Sequence, residues 1–152
     1  MATDERLPHG FSRETTIRRD AEGRWFHDGD AVTNPAVARA FDRWLDQAED
    51  GRWILRNTVN WAYIELEGPA FFVRRARVKA ERVELELRGG RTAWLEPETL
   101  VQDSEGRLHC RVDGFGARFE RAATLDLAEH LEEERGAAVL RLQGRDYPIG
   151  SA

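Results

Sequence analysis

Apolar residues recur at helical spacing in only two stretches of this chain, and this pattern constrains the fold more than any other feature. Over residues 35–48 an apolar stripe follows Asn34-Pro35, a favoured helix start. A second helix is expected over residues 124–135, capped by Thr124. Most other segments alternate apolar and polar residues, as half-buried antiparallel strands do. The pattern predicts an α+β fold with two helices packed on mostly antiparallel sheets.

Two turn sequences occur twice, in the same order along the chain. The Asp-x-Glu-Gly-Arg turn at residues 20–24 recurs at residues 103–107, and the Asp-Gly turn at residues 28–29 recurs at 113–114. A helical stretch follows each pair of turns. We therefore expect two repeated hairpin–helix–hairpin units within the chain.

The repeat suggests a division of the chain into three parts. Residues 1–13 show no periodicity and are expected to form a flexible tail. Residues 14–95 would form the first α+β unit and residues 96–152 the second. The length of 152 residues suits two small units that pack together as one globular body.

Charge and hydropathy exclude several classes of partner. The formal net charge is −5, whereas nucleic-acid-binding domains are normally basic, so no nucleic-acid partner is expected. No apolar run approaches the roughly 20 residues that a membrane-spanning helix needs, so no membrane partner is expected. The sequence shows no secretory signal and has a single cysteine, which makes the cytoplasm the expected compartment.

One stretch departs from the acidic balance. Residues 72–91 contain seven basic and three acidic residues. A solvated sheet face with cross-strand ion pairs explains this composition most simply. An anion-binding patch is the alternative.

Residues with catalytic or metal-binding chemistry are scattered along the sequence. The four histidines lie in separate predicted elements, so no metal site and no cofactor are expected. Cys110 alternates with His109 on a predicted strand and is interpreted as a small core residue. Nucleophile-elbow, Walker and dinucleotide motifs are lacking, so the sequence favours a non-enzymatic protein. A small hydrolase built from scattered carboxylates and histidine is the less favoured alternative.

Several short motifs resemble the bacterial family called domain of unknown function 1285. They are the Gly23–Gly29 segment followed by Asn34-Pro35, the stretch 112–119, and the closing Tyr147-Pro148-Ile149-Gly150. The resemblance implies two repeated α+β units, the second loosely like a pleckstrin-homology fold. It also suggests a nucleotide-like ligand bound between the units, and a role in signal transduction.

Four residues are candidates for such a ligand site. Trp25 and Trp61 would supply stacking, Asn57 a directed hydrogen bond, and Arg118 a fork for an anion. The competing interpretation is that both tryptophans are buried packing residues and that Arg118 pairs with a surface acid. The sequence thus predicts a ligand-binding or regulatory module, with a protein-interaction module or homodimer as a further alternative.

Overall fold

The structure is a computed structural model, which describes residues 12–152. It consists of two units, one ending at Gly68 and the other comprising Pro69–Ala152. This boundary differs from the expected division between residues 95 and 96, because the strands after Gly68 join the sheet of the second unit. Most of the predicted tail lies outside the described residues. Arg13, the last residue of that tail, is described: its backbone carbonyl accepts a hydrogen bond from the Tyr63 backbone N–H at 2.7 Å.

The first unit is a six-stranded sheet with one helix. Its strands lie in the order β3-β2-β1-β6-β5-β4, and all neighbours are antiparallel except the central pair β1 and β6. The elements are β1 (Glu14–Arg19), β2 (Trp25–His27), β3 (Asp30–Ala31), α1 (Pro35–Trp44), β4 (Leu45–Gln47), β5 (Trp53–Arg56) and β6 (Trp61–Leu66).

Helix α1 begins where the sequence predicts and ends earlier. The Asn34 side chain accepts a hydrogen bond from the Ala36 N–H at 2.9 Å, which caps the helix. The predicted end at residue 48 is wrong, because the backbone becomes extended at Leu45 and pairs with Leu55. Leu45 is buried there, so burial and sheet hydrogen bonds replace the last helical turn.

A buried ion pair joins α1 to the sheet of the first unit. Arg19 on β1 is 2% exposed, and its guanidinium lies 3.1 Å from the carboxylate of Asp42 on α1. The same carboxylate oxygen accepts the indole N–H of Trp25 at 3.0 Å. Because a charge removed from water must be paired, Asp42 is the residue on which this contact between helix and sheet depends.

The second unit contains a seven-stranded sheet, a three-stranded sheet and a helix. The larger sheet has the order β16-β10-β11-β12-β7-β8-β9, and the smaller one β13-β14-β15. Its elements are β7 (Phe71–Lys79), β8 (Arg82–Leu87), β9 (Thr92–Trp94), a short 3-10 helix (Pro97–Thr99), β10 (Val101–Gln102), β11 (Leu108–Val112), β12 (Phe115–Phe119), α2 (Arg121–Ala128), β13 (Leu131–Glu134), β14 (Ala137–Leu142), β15 (Arg145–Pro148) and β16 (Gly150–Ser151).

The second helix lies earlier than residues 124–135. It begins after Glu120, and Thr124 lies inside it, where its hydroxyl donates to the Glu120 carbonyl. Arg135 and Gly136 both have positive φ (55° and 80°) and form the turn between β13 and β14. Glu132, Glu133 and Glu134, which the predicted helix would have included, are therefore on strand β13. There, Arg141 of β14 ion-pairs with carboxylates on both neighbouring strands.

The described residues confirm an α+β fold with two helices and mixed sheets. The order strand, strand, strand, helix, strand, strand, strand occurs in β1–β6 with α1 and again in β10–β15 with α2. In both turns of the Asp-x-Glu-Gly-Arg type, the aspartate carboxylate accepts the backbone N–H groups two and four residues later, at 2.8–3.0 Å. Two distant turns in the chain thus have the same internal hydrogen bonds.

We expect Asp42→Ala to destabilise the protein by about 3–5 kcal/mol, because it removes the carboxylate that lies 3.1 Å from the buried Arg19 guanidinium. The matched control is Asp46→Ala, which removes a half-exposed carboxylate 3.1 Å from Arg56 and should cost about 1 kcal/mol or less. Urea unfolding followed by circular dichroism measures both. Equal losses would contradict the importance assigned to the buried pair.

Candidate functional site

Strand alternation gives the seven-stranded sheet a core face and an outer face. Leu108, Cys110, Ala117, Phe119 and Val73 are buried in the core of the second unit. Their neighbours along the strands project to the opposite face. The register places His109 opposite Arg118, and Arg118 opposite Phe72, so these three side chains form a row across β11, β12 and β7.

The aromatic ring at the end of this row contacts two guanidinium groups. Phe72 is 1% exposed, and the Arg88 and Arg118 guanidinium carbons lie 4.4 and 5.1 Å from its ring centroid. Arg88 also pairs with the Glu120 carboxylate at 2.6 Å, and its backbone N–H donates to the Phe72 carbonyl. The aromatic face and the ion pair hold the two guanidinium groups in position.

His109 is held by a carboxylate at the other end of the row. Its Nε2 lies 2.8 Å from the Asp103 carboxylate, which also accepts the Arg107 side-chain and backbone N–H groups. The hydrogen bond from His109 holds the pKa of Asp103 well below its ordinary value; burial opposes this shift, and the Arg107 donors reinforce it. Asp103 therefore orients the imidazole while remaining ionised.

Gly116 leaves open space beside Arg118. It follows Phe115 in β12, lies opposite Arg111, and has the same strand parity as Arg118. A Cβ at this position would meet no atom within 4 Å, and φ is not in the left-handed region. Backbone geometry therefore does not require glycine here. A glycine inside a strand often marks a place where a ligand or another backbone approaches closely.

We call Phe72, Arg88, His109, Gly116 and Arg118 the Arg118 face. It brings together two guanidinium groups, an imidazole and open space on one side of a sheet. Guanidinium groups donate charge-assisted hydrogen bonds to phosphate or carboxylate oxygens.

The tryptophans of the predicted site lie on opposite faces of the first unit's sheet. Trp25 packs with Leu45, Leu55 and Ile64, whereas Trp61 packs with Ala48 and Ile54. Ile54 and Leu55 are neighbours on β5 and project to opposite sides. A depression shared by Trp25 and Trp61 therefore does not form.

Asn57 has a local structural role, and Arg118 belongs to the second unit. The Asn57 side-chain oxygen accepts the backbone N–H groups of Val59 and Asn60 at 2.9 and 2.8 Å, which fixes the loop between β5 and β6. Of the four predicted residues, Arg118 alone is part of the Arg118 face. Alternation along β11 could have pointed to His109, but nothing local in the sequence pairs Phe72 with Arg118.

Most of the basic residues in residues 72–91 have acidic partners. Arg77 pairs with Glu86, Lys79 with Glu84, and Arg75 with Asp126, at 2.8–3.7 Å. These contacts match the interpretation as a sheet face with cross-strand ion pairs. Arg88 is the basic residue of this stretch that belongs to the Arg118 face.

The remaining candidate groups show ordinary structural roles. Burial raises the pKa of the Cys110 thiol to about 12, as expected for a core residue. Within residues 12–152, no three histidine, cysteine or acidic side chains are grouped so that they could hold a metal ion. In the same part of the chain, neither helix has the length and apolar character needed to cross a membrane.

Two solved structures are similar to this fold. A DUF1285 family protein from Silicibacter pomeroyi DSS-3 has a TM-score of 0.63 and 22% identity, covering 90% of this chain and 81% of that chain. A DUF1285 family protein from Shewanella baltica OS155 has a TM-score of 0.54 and 14% identity, covering 78% of this chain and 94% of that chain. No family model and no curated protein matches the sequence. The chain therefore has the DUF1285 fold, and the resemblance seen in its motifs is confirmed.

We expect Asp103→Asn to be less stable than the unchanged protein at about pH 5, and the gap to narrow as the pH falls towards about 2. A carboxyl with a lowered pKa stabilises the folded state above its ordinary pKa of about 3.9, and this contribution is lost as the pH falls through the folded pKa. Urea midpoints across this range measure the gap. A difference in urea midpoint that stays constant over this pH range would mean that the donors around Asp103 do not stabilise its ionised carboxylate.

Proposed function

We propose that this protein is a non-enzymatic regulatory module that binds a phosphate-bearing, nucleotide-like small molecule at the Arg118 face. The observation that carries the proposal is the row of His109, Arg118 and Phe72, with Arg88 against the Phe72 ring and open space at Gly116. A role in signal transduction is the function that this binding would serve.

The chemistry of the Arg118 face favours recognition through phosphate. Guanidinium groups form paired hydrogen bonds with phosphate oxygens, and the imidazole of His109 adds a further polar group. The Phe72 ring faces two guanidinium groups and is buried, so it does not offer a surface for stacking a base. Binding would therefore depend on the phosphate groups of a nucleotide more than on its base.

We also propose that β1–β6 with α1 and β10–β15 with α2 are copies of one structural repeat. The equal order of strands and helix supports this, as do the matching turns at Asp20 and Asp103. In addition, β1 lies parallel to β6, and β10 lies parallel to β16, the short strand that follows β15 after Ile149. The likeness of the second unit to a pleckstrin-homology fold stays a prediction.

A small hydrolase is the second candidate, because His109 has the geometry of an oriented general base. Its ring is held by the Asp103 carboxylate at 2.8 Å and lies opposite Arg118. A base held by a carboxylate and placed near a cation could activate water towards a bound phosphate. Release of inorganic phosphate from pyrophosphate or ADP, lost in His109→Gln, would favour this candidate over a binding module.

We expect pyrophosphate and ADP to raise the melting temperature, and Arg118→Ala to weaken their binding roughly 10- to 100-fold. Losing one charge-assisted hydrogen bond costs about 1.5–3 kcal/mol. At 100 times its dissociation constant a ligand adds about 2.7 kcal/mol, which corresponds to roughly 5–10 °C for a protein of this size. Thermal shift and isothermal titration measure both effects.

Two further variants separate binding from stability. Gly116→Val should leave the melting temperature unchanged or raised, because β-branched residues favour strands, and should block the ligand. Arg82→Ala removes the same charge from an exposed arginine at the other end of β8 and should bind normally. Unchanged binding in Arg118→Ala and Gly116→Val would overturn the site. If Arg82→Ala weakens ligand binding as much as Arg118→Ala does, the effect depends on net charge and not on the position of Arg118. A dimer whose mass is unaffected by either ligand would favour the protein-interaction alternative.

A further inference from the structure

One polar group in the first unit lacks a hydrogen-bond partner. Trp61 is 7% exposed, and among the described residues its indole N–H is the one buried side-chain polar atom without a donor or acceptor opposite it. A buried donor without an acceptor is costly, and natural proteins rarely keep one without a reason. Within residues 12–152 no group supplies that acceptor, which leaves the N–H to an acceptor from a bound molecule.

The side-chain acceptors of the loop before Trp61 and of Asp50 are already engaged. The Asn60 side-chain oxygen accepts from Arg13 and from the Trp61 backbone, and the Asn57 oxygen accepts two backbone N–H groups of the same loop. The Asp50 carboxylate accepts the Tyr63 hydroxyl and the Arg52 backbone. Each of these oxygens has its own donors, so none serves the Trp61 indole.

A further acid, Glu14, is also committed to another partner. Its two carboxylate oxygens accept from the Arg52 guanidinium at 2.7 and 2.8 Å. That guanidinium lies 3.6 Å from the Tyr63 ring centroid, and the Tyr63 ring meets Trp61 edge-on at 5.1 Å. The Glu14 carboxylate is thus paired with Arg52, and the Asp50 carboxylate accepts the Tyr63 hydroxyl.

A cation lies directly against the Trp61 ring. The Arg13 guanidinium carbon is 4.0 Å from the ring centroid, and Arg13 donates to the Asn60 side chain and to the Trp61 carbonyl. An unpartnered N–H beside a guanidinium favours an acceptor that carries negative charge. Because Arg13 covers one ring face and Tyr63 meets the ring from another direction, a stacked ligand is disfavoured and a small one is favoured.

We propose that the Trp61 indole N–H and the Arg13 guanidinium form a second binding site, for a small oxyanion, either a carboxylate or an inorganic phosphate. This site lies in the first unit and does not depend on the Arg118 face. It also gives Trp61 a role different from stacking: the indole donates a hydrogen bond through its edge.

The test is a titration of ¹⁵N-labelled protein with sodium acetate and, separately, with inorganic phosphate, each against sodium chloride at equal ionic strength. The indole resonance of Trp61 is assigned from Trp61→Phe. We expect it to shift saturably with one of the two oxyanions, which identifies the source of the oxygen, while the indole resonance of the exposed Trp94 does not. Arg13→Gln should weaken this binding about twofold to fivefold, as expected for a partly exposed charge.

Trp61→Phe keeps an aromatic ring and removes the donor, so it should fold and lose the oxyanion. Arg118→Ala should leave the Trp61 titration unchanged, which separates this site from the one on the second unit. Equal movement with chloride would show an effect of ionic strength and would overturn the proposal. The proposal would also be overturned if the Trp61 indole resonance shows contact with water and does not shift with either oxyanion.

Discussion

The parallel pairing of β7 with β12 is the interaction on which the second unit depends. It sets Ala117 against Phe71, Arg118 against Phe72 and Phe119 against Val73. A shift by one residue would exchange the two faces, exposing the apolar set and burying Arg118. The core therefore fixes the register, and the register in turn brings the Arg118 guanidinium to Phe72.

Beyond the end of β12, a side chain of helix α2 accepts the backbone hydrogen bond of β7. Asp126 on α2 accepts the Ala76 backbone N–H at 3.0 Å and two hydrogen bonds from Arg75 at 2.8 Å. These donors, Arg75 first, hold the pKa of Asp126 at about 2. A carboxylate on a helix thus satisfies a strand that would otherwise have an open edge at this point.

The polar groups of the protein divide into those that hold the fold and those available for chemistry. The Arg19 and Asp42 pair is buried and shares its carboxylate with Trp25, so its role is structural. Exposed pairs such as Lys79 with Glu84 contribute little to stability, as solvent screens them. The half-buried groups of the Arg118 face lie between these extremes, where charge is strong enough to bind an anion and accessible enough to meet one.

Features that depend on neighbouring residues could be predicted from the sequence. The start of α1 follows from Asn34-Pro35, and the two Asp-x-Glu-Gly-Arg turns close on hydrogen bonds within five residues. The end of α1 could not be predicted, because Leu45 leaves the helix to pair with Leu55, which no local pattern reveals. Helix α2 ends earlier than predicted for a different reason: residues 131–134 form a local hairpin with β14 across the Arg135-Gly136 turn.

The candidate site was predictable only in part, for the same physical reason as the end of α1. Strand alternation indicates that Arg118 need not lie in the core, and it separates His109 from Cys110. The neighbours Phe72 and Arg88 come from a distant segment through the parallel pairing of β7 with β12. In the sequence, Trp25 and Trp61 both lie beside polar turns. The sheet of the first unit shows that the two side chains project to opposite faces.

The central claim, that the Arg118 face binds a phosphate-bearing ligand, is tested most directly by mapping backbone amide shifts during a titration with pyrophosphate. The account predicts saturable shifts at Gly116, Arg118 and Phe72, with residues 79–82 at the far end of β7 and β8 unmoved. Shifts centred on another part of the protein, or no saturable shift at all, would contradict it.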